Sequence, residues 1–271
     1  MISRKSTNLK NVSISIAVVF YNNGIDSINK IIDNILGTTV YFTNVCLYLI
    51  NNSPDNTKIN DFMNLKKSQS NRISVLIPSK NKGFGSGNNL VLPMLTSEYH
   101  FIINPDVIIP DQNEIIKMIN YLEKNSDIGL LSPLIKFPDG NIQHLLKKET
   151  TIFDMALRFI GLPFFKKRQK EFVCLPDGYS NIHRAENVPG SFMLFRTSVF
   201  KKINGFDEKF FLYMEDSDIT KSVNNVSESI FFPDAFVYHE WQRQNRKSLK
   251  GILTMLRSAS IYFNKWGWKL F

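Results

Sequence analysis

The sequence predicts an α/β protein: a mainly parallel sheet flanked by helices, with a mixed second half and a helical C-terminal extension. Three observations carry this expectation. Short β-branched runs alternate with segments whose apolar residues recur at helical spacing, the pattern of strand, crossover helix and parallel strand. Polar residues follow each of the first four runs, which is where ligands bind in sheets of this kind. Finally, a chain of 271 residues that is 43% hydrophobic and 21% charged can bury one substantial core.

The run 14–20 is β-branched and ends in Tyr21-Asn22-Asn23-Gly24, after which Ile28, Ile31, Ile32 and Ile35 repeat at helical spacing up to Gly37. The same alternation gives a strand at 45–50 and a helix at 58–67, then a strand at 73–77 and a helix at about 88–95. A strand at 99–103 and a helix at 113–124 complete the series. From 128 the signal changes, with strands at 129–132 and 134–137 before the turn Pro138-Asp139-Gly140-Asn141. Residues 149–177 are basic, aromatic and irregular, an insertion with one helix at about 152–160. A central strand at 188–196 leads to a short helix at 198–203, stopped by Asn204-Gly205. Asp216 or Ser217 caps a helix running through 219–223, and the strand-like run 235–238 ends at His239. Residues 246–271 place cationic side chains beside Leu253, Leu256, Ile261 and Trp266, which predicts a basic amphipathic helix. The expected division is one domain over 1–240, with halves 12–127 and 128–240, followed by the extension 241–271.

Cys46 and Cys174 lie far apart without a nearby Cys or His, so neither a disulfide framework nor a zinc site is expected. The first ten residues lack the apolar stretch of a secretory signal, and the longest uncharged stretch, 34–56, is broken by Gly37, Asn44 and Pro54. A cytoplasmic setting follows as the expectation. The formal net charge of +9 suits nucleic acid, an anionic membrane surface or a phosphate-bearing substrate. Its recurrence among the aromatic residues of the C-terminal extension suits peripheral contact with the inner face of a membrane, or else packing of that helix on the catalytic domain or on another subunit, with no nucleic acid as partner.

The chemistry concentrates at a few places. Pro105 holds Asn104 extended, so that Asp106 stands at the sheet edge, where a carboxylate can bind Mg2+ or Mn2+. The glycines of Asn81-Lys82-Gly83-Phe84-Gly85-Ser86-Gly87-Asn88-Asn89 permit close backbone approach, and a helix starting near Gly87 would aim free amides at a phosphate. Glu215, Asp216 and Asp218 crowd behind Phe210, Phe211, Leu212 and Tyr213; carboxylates against aromatic walls suit general-base work, and they equally suit a helix start.

The segments Gly190-Ser191-Phe192-Met193-Leu194-Phe195-Arg196, Gly205-Phe206-Asp207-Glu208 and Glu215-Asp216-Ser217-Asp218, in that order, closely resemble family 2 glycosyltransferases of the rhamnosyltransferase-like branch. Val18-Val19-Phe20-Tyr21-Asn22, Asn51-Asn52-Ser53 and Asn104-Pro105-Asp106 agree, so the resemblance covers about residues 12–240. It implies a Rossmann-like, GT-A type fold whose first half binds the nucleotide and whose second half faces the acceptor. It implies donor contacts from Phe20, Tyr21, Asn22, Asn51, Asn81, Gly83, Gly85, Asn88, Asn89, Asn104, Asp106, Gly190 and Ser191, with Mg2+ or Mn2+ at Asp106 and His239. The family has Asp-x-Asp where Asn104-Pro105-Asp106 stands, and often an aspartate where Asn51 stands.

The function so implied is inverting transfer of a sugar, L-rhamnose from dTDP-L-rhamnose, to a bacterial surface glycan or lipid-linked acceptor. Asp216 is the base, with Glu215 as the alternative, and Asp218 orients or caps. UDP-hexose or UDP-galactofuranose donors remain alternatives. A nucleotidyltransferase would require a glycine-rich loop with arginine and lysine directly after the first strand, and Tyr21-Asn22-Asn23-Gly24-Ile25-Asp26 is not one. A basic nucleic-acid-binding module would leave the clustered carboxylates without a use.

Overall fold

The computed structural model describes residues 8–160, 165–240 and 249–271. Its elements are β1 (Ser13–Phe20), α1 (Ile25–Thr38), β2 (Asn44–Asn51), α2 (Thr57–Gln69), β3 (Ile73–Leu76), α3 (Phe84–Asn89), β4 (Tyr99–Ile103), β5 (Val107–Ile108) and α4 (Gln112–Lys124). There follow β6 (Ile128–Lys136), α5 (Ile152–Ile160), α6 (Lys166–Phe172), β7 (His183–Arg184), β8 (Phe192–Arg196), α7 (Thr197–Lys202), α8 (Glu215–Asn224), β9 (Glu228–His239) and α9 (Leu249–Trp266).

All nine strands join one sheet in the order β3-β2-β1-β4-β8-β6-β9-β5, with β7 on β9. The strands β1, β2, β3, β4, β6 and β9 point the same way, while β8, β5 and β7 run against them. Both sheet faces are buried, because alternate side chains leave opposite faces. Along β1, Ile14, Ile16, Val18 and Phe20 pack in one core cluster that also holds the Ile28–Ile35 stripe of α1. Ala17 and Val19 face a second cluster with Phe200, Phe206 and Ile219. A third, smaller cluster seats Ala259, Tyr262 and Phe263 of α9 on Phe210.

The structure differs from the sequence-based boundaries at five places. The helix expected near 88–95 begins at Phe84, because Gly83 turns the chain with φ +104°. It stops at Asn89, and Pro93 admits only a 3-10 turn at Leu92–Met94. The strands expected at 129–132 and 134–137 are one strand, whose register shift between Pro133 and Leu134 accommodates the proline. The strand expected from 188 starts at Phe192, since Ser191 already turns its carbonyl to the Asn104 N–H. Strand β9 is much longer than the run 235–238 suggested. The C-terminal helix spans Leu249–Trp266, and residues 241–248 of the expected extension, including Arg246, lie outside the described residues.

The six co-directed strands put their carboxyl ends on one edge of the sheet, and the reversed β8 delivers its amino end to the same edge. That edge collects the loops after β1, β2, β3, β4 and β6 together with Gly190, Ser191 and the end of β9 at His239.

Candidate active site

Strand β4 ends at Ile103, and the Asn104 N–H donates to the Ser191 carbonyl at 2.9 Å, which ties the start of β8 to this turn. Asp106 follows, its carbonyl accepting from the Glu240 N–H at 3.0 Å, while Val107 pairs with His239 across β5 and β9. These ladder contacts bring Asp106 Oδ1 to 3.3 Å from His239 Nε2. Gln143 fixes the ring from the other side: its amide N–H donates to the His239 carbonyl at 2.6 Å, and its Oε1 lies 3.0 Å from His239 Nδ1. With the amide so oriented, Nδ1 is the nitrogen that donates, and Nε2 is turned toward the carboxylate. An unprotonated Nε2 and a carboxylate oxygen 3.3 Å apart repel unless a proton or a cation lies between them. An oxygen and an imidazole nitrogen are a fitting, if small, ligand pair for Mg2+ or Mn2+. Among the described residues no three His, Cys, Asp or Glu side chains gather to hold a metal by themselves, so a diphosphate or water would have to complete the coordination.

The second group sits at the start of α8. Tyr213 and Met214 both have positive φ, 71° and 67°, a costly pair of left-handed residues that turns the helix start inward. Glu215 is partly buried, its Oε2 fully so and lacking any hydrogen-bond partner, and desolvation, reinforced by the neighbouring Asp216, pushes its pKa up to about 8. Asp216 is partly open to solvent, its Oδ2 3.2 Å from Lys147 Nζ, and its Oδ1 accepts from the Ser217 N–H at 2.8 Å. Gly190 faces it closely: a Cβ at that position would come within 3.4 Å of the Asp216 Cβ. Asp218 points the other way into the protein, accepting from Trp266 Nε1 at 2.7 Å and pairing with Lys265 at 2.8 Å, so it anchors α9.

The two groups face one cavity of about 780 Å³. Of the sequence candidates, Asn104, Asp106, Gly190, Ser191, Glu215, Asp216 and His239 line it together. Ser191 Oγ is buried there without a partner. The remaining candidates stand along the same sheet edge outside this lining, and most of their polar atoms tie loops. The Phe20 side chain is core, and Tyr21 is exposed. Asn22, at φ 55°, donates its N–H to Ser53 Oγ. Asn51 is fully buried, bonding Ser53 through both amide atoms and Asn60 through its Nδ2. Asn81 Oδ1 accepts from the Gly83 N–H, and a Cβ on Gly83 would strike the Phe211 carbonyl. Gly85 lies against Phe206, and Asn89 grips both the N–H and the carbonyl of Phe206. Asn88 donates to the Phe84 carbonyl and keeps Oδ1 without a partner in a buried position.

Sequence reasoning missed Lys147, His144 and Thr150, which also line the cavity. His144 and Lys147 lie between β6 and the stretch 149–177 that read as irregular, Thr150 lies at the start of that stretch, and no motif marks them. The doublet Lys147-Lys148 beside a turn was the one available signal.

A family model described as "Glycosyl transferase family 2" matches residues 15–203. The N-acetylglucosaminyl-diphospho-decaprenol L-rhamnosyltransferase of Mycobacterium tuberculosis is 24% identical over 180 residues, 62% of this chain and 58% of that protein. The rhamnosyltransferase WbbL of Escherichia coli is 27% identical over 175 residues, 60% of this chain and 63% of the relative. The chain thus spans about three fifths of these relatives. Among solved structures, the mannosyltransferase PcManGT from Pyrobaculum calidifontis, in complex with GDP-Man and Mn2+, aligns with a TM-score of 0.61 at 13% identity, over 87% of this chain and 59% of the other. GalNAc-T7 with UDP, GalNAc and Mn2+ aligns with a TM-score of 0.66 at 14% identity, over 94% of this chain and 50% of the other.

Proposed function

The chain belongs to glycosyl transferase family 2 and has the GT-A fold, and from that premise we propose that it transfers a sugar with inversion, L-rhamnose from dTDP-L-rhamnose, to a hydroxyl of a lipid-linked or growing bacterial surface glycan. The observation that carries this reading is the shared chamber, in which Asp216 faces the same cavity as the Asp106–His239 pair. A base on one side and a diphosphate site on the other are what a single displacement needs. Asp216 takes the proton of the acceptor hydroxyl. The freed oxygen bonds to the anomeric carbon from the face opposite the leaving group, and the bond to the nucleotide diphosphate breaks with its electron pair going to the diphosphate. Lys147 holds the carboxylate in place, and Gly190 lies beside it. Asp106 and His239 would hold Mg2+ or Mn2+, which when bound would offset the charge of the departing diphosphate. The choice of rhamnose is supported by the two rhamnosyltransferase relatives.

In the same reading residues 12–127 bind the nucleotide, through the sheet-edge loops of Asn22, Asn51 and Asn81–Asn89, and 128–240 face the acceptor. No helix among the described residues is long and apolar enough to cross a membrane. The basic extension 241–271 makes peripheral contact at the inner face, and flotation with anionic liposomes tests this: L249Q/L253Q should float less than the parent, and equal flotation would remove the contact.

The donor is tested without knowledge of the acceptor. Nucleotide sugars supplied with Mn2+ should raise the thermal stability of the protein, dTDP-L-rhamnose most, because a ligand at 100 times its Kd adds about 2.7 kcal/mol. Absence of both protection and slow hydrolysis across UDP, GDP and dTDP sugars would overturn the transferase reading.

A further inference from the structure

The cavity that holds Asp216 has two unlike walls. The sheet edge and its loops give Asn104, Asp106, His239 and Lys147, whereas helices α5, α6 and α9 with the approach to α8 give Met155, Phe172, Met214, Ile252 and Met255. Tyr213 beside Met214 and Thr150 before α5 add a phenol and a hydroxyl at its margin, while these five side chains carry no polar group beyond a thioether. Ile252 and Met255 are only partly buried, so they are not core residues closed over by other side chains.

Helix α9 continues this apolar surface outward. At about 100° per residue, Leu249, Ile252, Leu253, Met255 and Leu256 fall on one arc of about 160°. Part of the arc faces the cavity, and Leu249 and Leu253 at its outer edge are 81% and 67% exposed. The helix is held in register from its other half. Lys265 and Trp266 bind Asp218, and Ser258 Oγ donates to the Leu212 carbonyl at 2.8 Å. The tail after α9 caps α5, with Ile152 N–H donating to the Lys269 carbonyl at 3.0 Å and Phe153 N–H to the Leu270 carbonyl at 3.2 Å. Ile252 and Met255 lie beyond residues 15–203, the span matched by the family model, whereas Met155 and Phe172 lie within it.

We propose that Met155, Phe172, Ile252 and Met255 form a subsite for the hydrocarbon chain of a lipid-linked acceptor, which leaves the cavity along the leucine-bearing arc of α9. The proposal rests on the transferase reading, because that reading puts the acceptor hydroxyl at Asp216 and so requires the rest of the acceptor to continue from there. A longer saccharide lying along this wall would lose hydrogen bonds to water and find no replacements. A hydrocarbon chain loses none and gains by burial, roughly fourfold in affinity per methylene. The occupant is the acceptor's own chain, and adsorption of bulk lipid to the outer face of α9 is the competing outcome.

The experiment measures binding of methyl, hexyl and octyl β-glucosides, each below its micelle concentration, to the full chain by titration calorimetry, with nucleotide-sugar protection read in parallel on every protein. Affinity of the parent should climb at least tenfold from methyl to octyl. I252Q/M255Q should flatten the series, and I252W, which stays apolar but fills the wall, should lose octyl binding while far-UV circular dichroism and nucleotide-sugar protection stay parental. L253Q, altered on the exit arc outside the cavity, should lower octyl binding much less than I252Q/M255Q does. A parent indifferent to chain length would overturn the subsite, as would I252W with undiminished octyl binding. A series flattened as much by L253Q as by I252Q/M255Q would assign the effect to the outer face and overturn it too. Failure of nucleotide sugars to protect the parent strikes the transferase reading instead, a readout separate from the chain-length series.

Discussion

Glu215 and Asp216 are adjacent carboxylates with different partners, and that difference divides their roles: Asp216 meets Lys147 and the Ser217 N–H, while Glu215 Oε2 meets no donor. Desolvation of its carboxyl, and then the Asp216 charge, push Glu215 up to about 8. Both residues line the cavity, and Asp216 is the one paired with a lysine. Asp216→Asn should therefore lower transfer by roughly two to four orders of magnitude while donor protection stays intact, the usual worth of general-base catalysis. Glu215→Gln, which keeps the shape of a side chain whose Oε2 has no donor, should keep most of the rate. It should also change stability with a definite sign. A carboxyl whose folded pKa lies above its ordinary value of 4.5 favours folding most at low pH and loses that advantage as pH rises from about 4.5 through about 8. Urea midpoints over that interval should decline less steeply for Glu215→Gln than for the parent. A rate loss at Glu215→Gln larger than at Asp216→Asn would move the base to Glu215.

At the scale of elements, what was legible in the sequence depended on whether the cause was local. The first four strands and helices α1, α2 and α4 carried their own periodicity, and four polar strand ends pointed to the edge where the cavity lies. The reversed β8 between β4 and β6, the length of β9, and the Lys147–Asp216 pair depend on contacts across many tens of residues, and no local pattern encodes them. Asp218 shows the limit best. Next to Asp216 it read as a residue that caps or orients, yet its partners are Lys265 and Trp266, 47 and 48 residues away. Asp218→Ala should leave Lys265 with Asp207 alone and the Trp266 N–H without its acceptor. The expected cost is roughly 2–4 kcal/mol by urea unfolding, accompanied by faster proteolysis within α9. Asp218→Asn, which can still accept from Trp266, should cost less. Equal stability of all three proteins would mean that α9 is held by its apolar cluster alone.

The whole molecule contributes an arrangement that no single element contains. Asp106 follows β4 and His239 ends β9, and the two meet only because the intervening β8 reverses while β6 and β9 return to the direction of β4. Their backbones are fixed independently of their side chains, through Val107 pairing with His239 and through the Glu240 N–H to the Asp106 carbonyl. Asp106→Ala and His239→Ala should therefore fold, with His239→Ala destabilised by about 1–3 kcal/mol because Gln143 Oε1 loses its partner. If the two side chains act on one cation and one diphosphate, each variant should weaken Mn2+-dependent protection by the nucleotide sugar roughly tenfold or more. The double variant should then lose little beyond either single one, because residues serving one ligand are not additive. Protection measured with and without chelator across the four proteins reads the coupling directly. Additive losses would make Asp106 and His239 independent contacts, and protection insensitive to chelator in the parent would remove the metal from the mechanism while leaving Asp216 as its base.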